Sequence, residues 1–459
     1  MGLRERRHAD PLILRYLRTC EDELSKRANK HQRNLGRAAE PIRTRTNQTG
    51  SGDTPRTSGG GSKGRIAIYS NSPWAPTGYG QQTAQLSKYL SQDGYAVSVI
   101  SNYGLEATST DWQGIRIYPR GFDAYSNDVI SAHARHWFEQ EPDVPNLLLT
   151  LYDVWVIKNP SLKEFNVASW VPIDHMPIPV EVLKYCRQDF VHPIAMSKFG
   201  SDQLTKHDVE HSYAPHGIET IYRPTEYYQD GDEKTYPRDF MEVGKDDFVV
   251  TINSANKGIP PRKGFAEMFL AFSLFAADKP DAKLYVHTER DGAAGGIRLL
   301  DLMKSVGLTD DKVKFVNQYA IRSGIPPQLL AAIYTTSDVF LCTSLGEGFG
   351  IPVIEAAACG TKVIVTNATA QPELVGEGWL VDGQPWWDAL QSSWWVIPNV
   401  QEIVSALEEA YLKRGRSETQ IQHAAEYEAS NVYRNHWQPI IEKLLKGQNG
   451  NHERILQSK

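Results

Sequence analysis

The sequence contains no uninterrupted apolar stretch approaching the length of a membrane-spanning helix, about 18 residues, and no apolar run of signal-peptide length near its start. Cysteine is also scarce. The four cysteines are far apart and match neither paired metal-ligand spacing nor a disulfide framework: Cys20, Cys186, Cys342 and Cys359. We therefore expect a cytoplasmic protein without a transmembrane segment.

The composition shows no bias of the collagen-like, coiled-coil or wholly disordered kind, because 41% of the 459 residues are hydrophobic and 23% are charged. At roughly 100 to 200 residues per domain, this length predicts two or three domains. The charge is unevenly distributed. Residues 1–65 carry 15 Lys and Arg against 7 Asp and Glu, a net charge of +8, whereas the remainder carries a net charge of −14.

Residues 1–64 are predicted to form a basic, mostly flexible N-terminal extension. Residues 44–64 are almost free of large apolar side chains and rich in Gly, Ser and Thr, a composition that favours a linker. Two interpretations of the basic charge stay open: a solvated tail, or a segment that contacts nucleic acid or another polyanion and gains affinity by releasing counterions.

Beyond Arg65, short apolar runs of strand length alternate with glycine-bearing loops and helical patterns. The first series comprises RIAIYSN, YAVSVIS, NLLLTLYD, VASWVPID and FVHPIAMS, and a second series starts with DFVVTINSA after a polar interval. This alternation predicts an α/β protein with two facing Rossmann-like, doubly wound domains, residues 65–240 and 241–430. Ligands of such sheets bind at the carboxyl ends of the strands, so we expect the site in an interdomain cleft.

The most informative segment is SLGEGFGIPVIEAAACG at residues 344–360, which follows the strand DVFLCTS and is predicted to open a helix near Gly350. A glycine-rich turn at a helix N-terminus offers backbone N–H groups and the positive end of the helix dipole to an anion, most naturally a nucleotide diphosphate. Glu347 in the turn and Glu355 in the helix would face one cleft, where carboxylates can accept hydrogen bonds from the vicinal hydroxyls of a ribose or hexose.

Two other kinds of site are disfavoured by what the sequence lacks. A GxGxxG motif with an acidic residue about 20 positions later follows the first strand of neither domain, which argues against a dinucleotide-dependent oxidoreductase. The histidines of the HARH segment, residues 133–136, have no carboxylate or cysteine at matched spacing, so no metal and no other cofactor is expected.

The segment SLGEGFGIPVIEAAACGT resembles the donor-site signature of the family 4 retaining glycosyltransferases (glycosyltransferase group 1), which have the GT-B fold. Supporting segments occur in the family's order over residues 65–446: SPWAPTGYG, VPIDHMPIPVEVL, AMSKFGSDQL, APHGIETIYRP and TNATAQPELVGEGWLVDG. In this family the first domain meets the acceptor and the second holds the nucleotide sugar. The final segment, residues 431–459, would form a helix that crosses back to the first domain, followed by a tail.

The resemblance implies roles for individual residues. Glu355 would hold the ribose hydroxyls, and Glu347 would hold the donor sugar. Family members neutralise the diphosphate with an Arg and a Lys on the first turn of the second domain. Lys263 fits the lysine, but Asn256 stands roughly where the arginine is expected, so Arg262 or Lys257 would replace it. The donor-binding set implied in this way is Glu355, Gly348, Phe349, Gly350, Ile351, Arg262, Lys257, Asn256, Gly78 and Gly80.

The family's polar residues beside the reacting sugar match Asp174 and His175, at the end of the strand WVPIDH. With Glu347 and Lys263 they form the catalytic set that the resemblance implies. Asp153 and His216 are weaker candidates of the same kind.

The expected function is retaining transfer of a hexose from a UDP or GDP sugar to an acceptor hydroxyl, by front-face attack and without a metal. The acceptor stays open among a glycan, a protein and a modified nucleic acid. The EGFG signature argues against a phosphorylase-like enzyme and against a nucleotide-sugar epimerase. The remaining alternative, which Asn256 mildly favours, is a noncatalytic GT-B-like binding protein with a degenerate donor site.

Overall fold

The computed structural model describes residues 62–258 and 260–446. Most of the predicted basic extension, up to residue 61, and the tail beyond residue 446 lie outside the described residues. Among the helices that the structure describes, none is long and apolar enough to cross a membrane.

The first half of the described chain forms an eight-stranded sheet. Its strands are β1 (Arg65–Ser70), β2 (Ala96–Ser101), β3 (Thr110–Trp112), β4 (Ile115–Tyr118), β5 (Asn146–Leu151), β6 (Val167–Val171), β7 (Val191–Ala195) and β8 (Ser212–Tyr213). They lie in the order β3-β4-β2-β1-β5-β6-β7-β8, and every pair is parallel except β3 with β4. Strands β1 and β6 are buried along their whole length, because a parallel sheet is covered on both faces, and this explains their uninterrupted apolar runs.

Helices α1 (Gly78–Gln92), α2 (Ile130–Phe138), α3 (Val180–Cys186) and α4 (Lys198–Lys206) connect these strands. A small antiparallel hairpin, β9 (Tyr228–Asp230) and β10 (Glu233–Thr235), and helix α5 (Pro237–Phe240) follow the sheet.

The second half forms a six-stranded, fully parallel sheet. Its strands are β11 (Phe248–Asn253), β12 (Ala282–His287), β13 (Val313–Phe315), β14 (Val339–Cys342), β15 (Lys362–Thr366) and β16 (Gly378–Val381), in the order β13-β12-β11-β14-β15-β16. Its helices are α6 (Phe265–Phe275), α7 (Leu299–Ser305), α8 (Gln318–Ser323), α9 (Pro327–Thr336) and α10 (Ile351–Ala358). The aromatic side chains of α6 are buried in the core of this half, as their helical spacing predicts.

A second antiparallel hairpin, β17 (Gly383–Asp388) and β18 (Ser393–Pro398), stands between β16 and helix α11 (Val400–Leu412). This hairpin was not predicted from the sequence, and it carries four tryptophans at residues 386, 387, 394 and 395.

The end of the described chain returns to the first sheet. Helices α12 (Glu418–Ala424) and α13 (Ala429–Val432) lead into a π-helical turn, Tyr433–Trp437, and a helical stretch that runs to residue 446. The Trp437 ring packs on Trp170 of β6 with ring centroids 4.7 Å apart, and the backbone N–H of Ile218 donates to the Tyr427 carbonyl at 2.8 Å. One buried cluster therefore contains side chains of both halves.

Candidate active site between the two sheets

The carboxyl ends of strands β6 and β14 approach each other across a cleft. A methyl group at Gly346, after β14, would lie 2.2 Å from the carbonyl oxygen of Asp174, after β6. A methyl group at Gly348 would lie 2.8 Å from the Cβ atom of Pro172. Glycine is required at both positions because no side chain fits between the two loops.

Two helix N-termini meet in this cleft. Thr77 caps α1 by accepting a hydrogen bond from the backbone N–H of Gly80 at 3.0 Å, and a methyl group at Gly78 would lie 3.2 Å from Cδ1 of Ile351, the first residue of α10. Gly350 precedes α10 with φ of +114°, a conformation that favours glycine. Because the first N–H groups of a helix lack intrahelical acceptors, two positively polarised ends lie side by side.

An ion cluster lies next to these helix ends. Arg262 donates through Nη1 to Glu347 Oε2 at 2.9 Å and to the Gly346 carbonyl at 2.6 Å, while the Lys263 ammonium contacts Glu347 Oε1. Burial alone would raise the pKa of Glu347, but the two cations outweigh it and lower the pKa to about 2. The carboxylate is therefore ionised across the physiological range.

The two cations respond differently to burial. The pKa of Lys263 is lowered, first by burial and then by the charge of Arg262, although Glu347 partly offsets both. The pKa of Arg262 is raised, because Glu347 and Asp174 outweigh the effect of burial. Gly264, with φ of +65°, holds the turn against β14, since a methyl group there would lie 2.2 Å from the Thr343 carbonyl oxygen.

Glu355 lies in the same cleft but in a neutral environment. Its side chain, only 3% exposed, accepts hydrogen bonds from Gln81 Nε2 at 3.1 Å and from the Tyr334 hydroxyl at 3.3 Å. Burial raises the pKa of Glu355 to about 7, and the hydrogen bonds from Gln81, Tyr222 and Tyr334 only partly counter it. Within the part of the chain that the structure describes, no ion pair compensates this carboxylate.

Asp174 and His175 join the first half to the ion cluster. His175 Nδ1 lies 2.7 Å from Asp174 Oδ1, its Nε2 lies 3.2 Å from Asp388 Oδ2, and the ring is buried. Arg262 Nε lies 4.0 Å from Asp174 Oδ2. Burial would raise the pKa of Asp174, but the hydrogen bond with His175 and the charge of Arg262 lower it overall. His175 thus orients the carboxylate of Asp174, and both of its ring nitrogens are engaged.

Asn256 and Lys257 do not join this cluster. The Asn256 side chain is 4% exposed, donates to the carbonyls of Glu289 and Ile297 at 2.9 and 2.7 Å, and accepts from the Ile297 N–H at 2.8 Å. It braces the loop that follows β12, and its polar atoms are all occupied. Lys257 is exposed. Of the cations proposed to replace the missing arginine, Arg262 is the one in contact with Glu347.

Three further residues complete the surroundings of the two glutamates. Phe349 is buried between the rings of His216 and Tyr427, at centroid distances of 5.1 and 5.7 Å. His216 is itself a core residue, and burial lowers its pKa to about 3. Burial and, second, the charge of Asp174 raise the pKa of Asp153 to about 6.

The side chains that surround Glu355 and the hairpin that contacts His175 were not predicted from the sequence. Gln81 directly follows the GYG turn, so its position near the cleft could have been inferred from the start of α1. Tyr222 lies in the family segment APHGIETIYRP, which gave a signal for it, whereas no motif signals Asp388.

Comparison with known proteins yields consistent matches. Residues 250–411 match the family model described as Glycosyl transferases group 1. The serotype-specific mannosyltransferase WbdA of Escherichia coli is 28% identical over 165 residues, which cover 36% of this chain and 17% of that protein. The D-inositol 3-phosphate glycosyltransferase of Rhodococcus opacus (strain B4) is 33% identical over 210 residues, covering 42% of this chain and 43% of the relative.

Among solved structures, sucrose-phosphate synthase from Thermosynechococcus elongatus superposes with a TM-score of 0.61 at 16% identity, covering 86% of this chain and all of that one. The chain therefore has the GT-B fold of two Rossmann-like halves, which confirms the predicted fold class. It spans less than half the length of the curated relatives just described.

Proposed function

We propose that the protein is a retaining glycosyltransferase that moves a hexose from a nucleotide-diphosphate sugar, with UDP or GDP as the carrier, to the hydroxyl of a glycan acceptor. The observation that carries this proposal is the convergence of two helix N-termini with Arg262, Lys263 and Glu347 in one cleft. Two cations and two helix dipoles provide the positive potential that a departing diphosphate needs. The match of residues 250–411 to the glycosyl transferases group 1 model supports the reaction class.

In the proposed reaction, the bond between the anomeric carbon and the diphosphate oxygen breaks while the acceptor oxygen bonds to the same face of that carbon. The acceptor proton passes to the departing phosphate oxygen, so no enzyme nucleophile is required. Arg262 and Lys263 stabilise the negative charge that develops on the phosphate. Glu347 shares these cations and accepts hydrogen bonds from the sugar hydroxyls. No step requires a metal or another cofactor.

Glu355 holds the ribose in this proposal. A carboxylate accepts hydrogen bonds from two vicinal hydroxyls best when it is ionised, whereas burial raises the pKa of Glu355 to about 7. Nucleotide affinity is therefore expected to rise as the pH increases from 6 to 8. Asp174, oriented by His175, is close to Arg262 and thus to the reacting sugar.

The test is thermal stabilisation of the purified protein by UDP-, GDP-, ADP- and TDP-sugars without added metal. One nucleotide class should raise the melting temperature of the wild type and of the control Glu408→Ala, whose side chain is 44% exposed, but raise that of Glu355→Ala much less. If millimolar concentrations of all four leave the wild type unchanged, the donor site is refuted as proposed.

The second candidate function, a noncatalytic binding protein with a degenerate donor site, is favoured by one observation. Asn256 replaces a family cation, and its side chain is fully engaged within the second half. Release of the nucleotide diphosphate decides between the two candidates. If the protein is stabilised by a nucleotide sugar but neither transfers nor hydrolyses it, the binding function is supported instead.

A further inference from the structure

The hairpin β17–β18 contacts the first half of the molecule through one isolated antiparallel bridge. In the hairpin register, Trp386 opposes Trp395 and Trp387 opposes Trp394. Met176 then pairs with Trp394 in an antiparallel bridge, its N–H donating to the Trp394 carbonyl at 3.1 Å. Because directly opposed residues share a face, this small sheet carries two rows of side chains, one on each face.

The inner row fixes the hairpin in place. It consists of His175, Trp395 and Trp386, with the His175 and Trp395 rings stacked at 4.5 Å and the two tryptophans stacked at 5.8 Å. Asp388 contacts His175, and the Ser393 hydroxyl donates to the Pro177 carbonyl at 2.5 Å. The hairpin is therefore held by polar and aromatic contacts beside Asp174.

The outer row is exposed to solvent. Met176, Trp394 and Trp387 have exposed fractions of 57, 42 and 46%. The two indoles meet at 4.9 Å with an interplanar angle of 70°, an edge-to-face arrangement that leaves aromatic surface uncovered. Three adjacent large apolar side chains exposed at the edge of a cleft indicate a binding surface.

The lack of exposed charge on the hairpin indicates that its ligand is uncharged. Residues 383–398 include a single charged side chain, Asp388, which is 3% exposed and engaged with His175. A surface without exposed cations is unsuited to a polyanion, since such binding depends on neutralising charge. The flat, exposed aromatic faces of Trp387 and Trp394 instead match a neutral sugar, whose ring presents C–H groups on one face.

We infer that the outer row of Met176, Trp394 and Trp387 is a subsite for a neutral oligosaccharide acceptor, which stacks on the two indoles and extends from there into the cleft beside Asp174. This inference rests on the proposed function, because that function supplies the reason for a glycan at this place. The row is continuous with the cleft, since Met176 directly follows Asp174 and His175 in the chain.

The experiment is an array of neutral oligosaccharides, mannans and glucans among them, with heparin oligosaccharides and single-stranded RNA as polyanionic probes. The double variant Trp387→Leu/Trp394→Leu keeps apolar volume but removes the aromatic faces, and Trp387→Tyr/Trp394→Tyr retains them. Tyr236→Ala removes an aromatic side chain that is 51% exposed and lies outside the hairpin, and so serves as the control. Thermal stabilisation by the nucleotide sugar is measured on every variant.

The wild type should bind at least one neutral oligosaccharide, the Leu variant should bind it at least 10-fold more weakly, and the Tyr variant and Tyr236→Ala should stay within about 3-fold of the wild type. The Leu variant should keep its stabilisation by the nucleotide sugar, which excludes misfolding as the cause. Equal binding by the Leu variant and the wild type, or binding of polyanions alone, would overturn the inference. If no nucleotide sugar stabilises the wild type but an oligosaccharide still binds to it, the proposed function is refuted and the oligosaccharide subsite is retained.

Discussion

Glu347 and Glu355 belong to one segment of seventeen residues, 344–360, and face one cleft, yet their electrostatic environments are opposite. Glu347 is 6% exposed and contacts Arg262 and Lys263, which lower its pKa to about 2. Glu355 is 3% exposed and contacts only neutral donors, so burial raises its pKa to about 7. Burial acts in the same direction on both carboxylates, and the presence or absence of cations decides the outcome.

Under the proposed function, this difference would separate two tasks. The cations around Glu347 would meet the phosphate groups of the donor, and Glu355 would accept hydrogen bonds from its ribose. Altering each carboxylate or its partners tests the comparison.

The largest expected effect on stability comes from Glu347→Gln, because it leaves two partly buried cations without their carboxylate. The free energy of unfolding in urea at pH 7 should fall by about 3 to 5 kcal/mol. The effect should shrink as the pH falls from 4.5, the ordinary value for a glutamate, towards the folded pKa of about 2, where the wild type loses the same charge. Glu408→Gln, which breaks a surface pair with Lys279, should cost less than about 1 kcal/mol. Equal losses in the two variants would contradict the compensated cluster.

Lys263→Ala tests the proposed catalytic role of the cations that contact Glu347. Turnover with the nucleotide sugar that stabilises the protein should fall by about 100-fold or more, because one preorganised electrostatic contact with the leaving group is removed. Lys304→Ala, an exposed lysine at the end of α7, serves as the control and should match the wild type. Turnover of Lys263→Ala within a few-fold of the wild type would remove Lys263 from the mechanism.

Glu355→Gln should change the free energy of unfolding in the opposite direction to Glu347→Gln. Since the folded pKa of about 7 exceeds the ordinary value of 4.5, the native state retains its proton longer, and the stability of the wild type falls as the pH rises between these values. The variant should therefore be more stable at pH 8, by at most about 3 kcal/mol, and similar to the wild type at pH 4.5. Urea denaturation at both pH values measures the difference. A variant that is less stable at pH 8 would show that the carboxylate is compensated after all.

Substitution of Glu373 is expected to have the smallest effect on stability, and it extends the comparison of Glu347 and Glu355 to a third carboxylate. Its carboxylate accepts hydrogen bonds from the backbone N–H of Lys198 at 2.8 and 3.2 Å, at the start of α4, and burial raises its pKa to about 7 despite these bonds. Glu373→Gln should reduce the loss of stability between pH 5 and 8 by about 1 kcal/mol, less than Glu355→Gln, because Glu373 is only half-buried and solvent screens part of its electrostatic penalty. An effect larger than that of Glu355→Gln would refute this ranking.

The fold was readily predictable, whereas the contacts of the site were only partly so. Apolar runs in β1 and β6 predicted buried parallel strands, and the glycine-rich segment after β14 predicted a helix near Gly350. The structure places α10 at Ile351–Ala358. The engagement of Asn256 with the 289–297 loop was not predictable, because its partners are backbone N–H and C=O groups that any sequence offers. The hairpin was missed for a related reason: tryptophan pairs at residues 386–387 and 394–395 suit either strands or a loop until a partner strand is known.

The sequence by itself determined the two doubly wound halves and the positions of Glu347 and Glu355, because hydrophobic periodicity and glycine placement act over a few residues. Only the tertiary structure decided the electrostatic environment of each carboxylate. Arg262 lies 85 residues from Glu347, and Gln81 lies 274 residues from Glu355. A pKa depends on the charges and solvent within several ångströms, and these neighbours come together only when both sheets are folded and in contact.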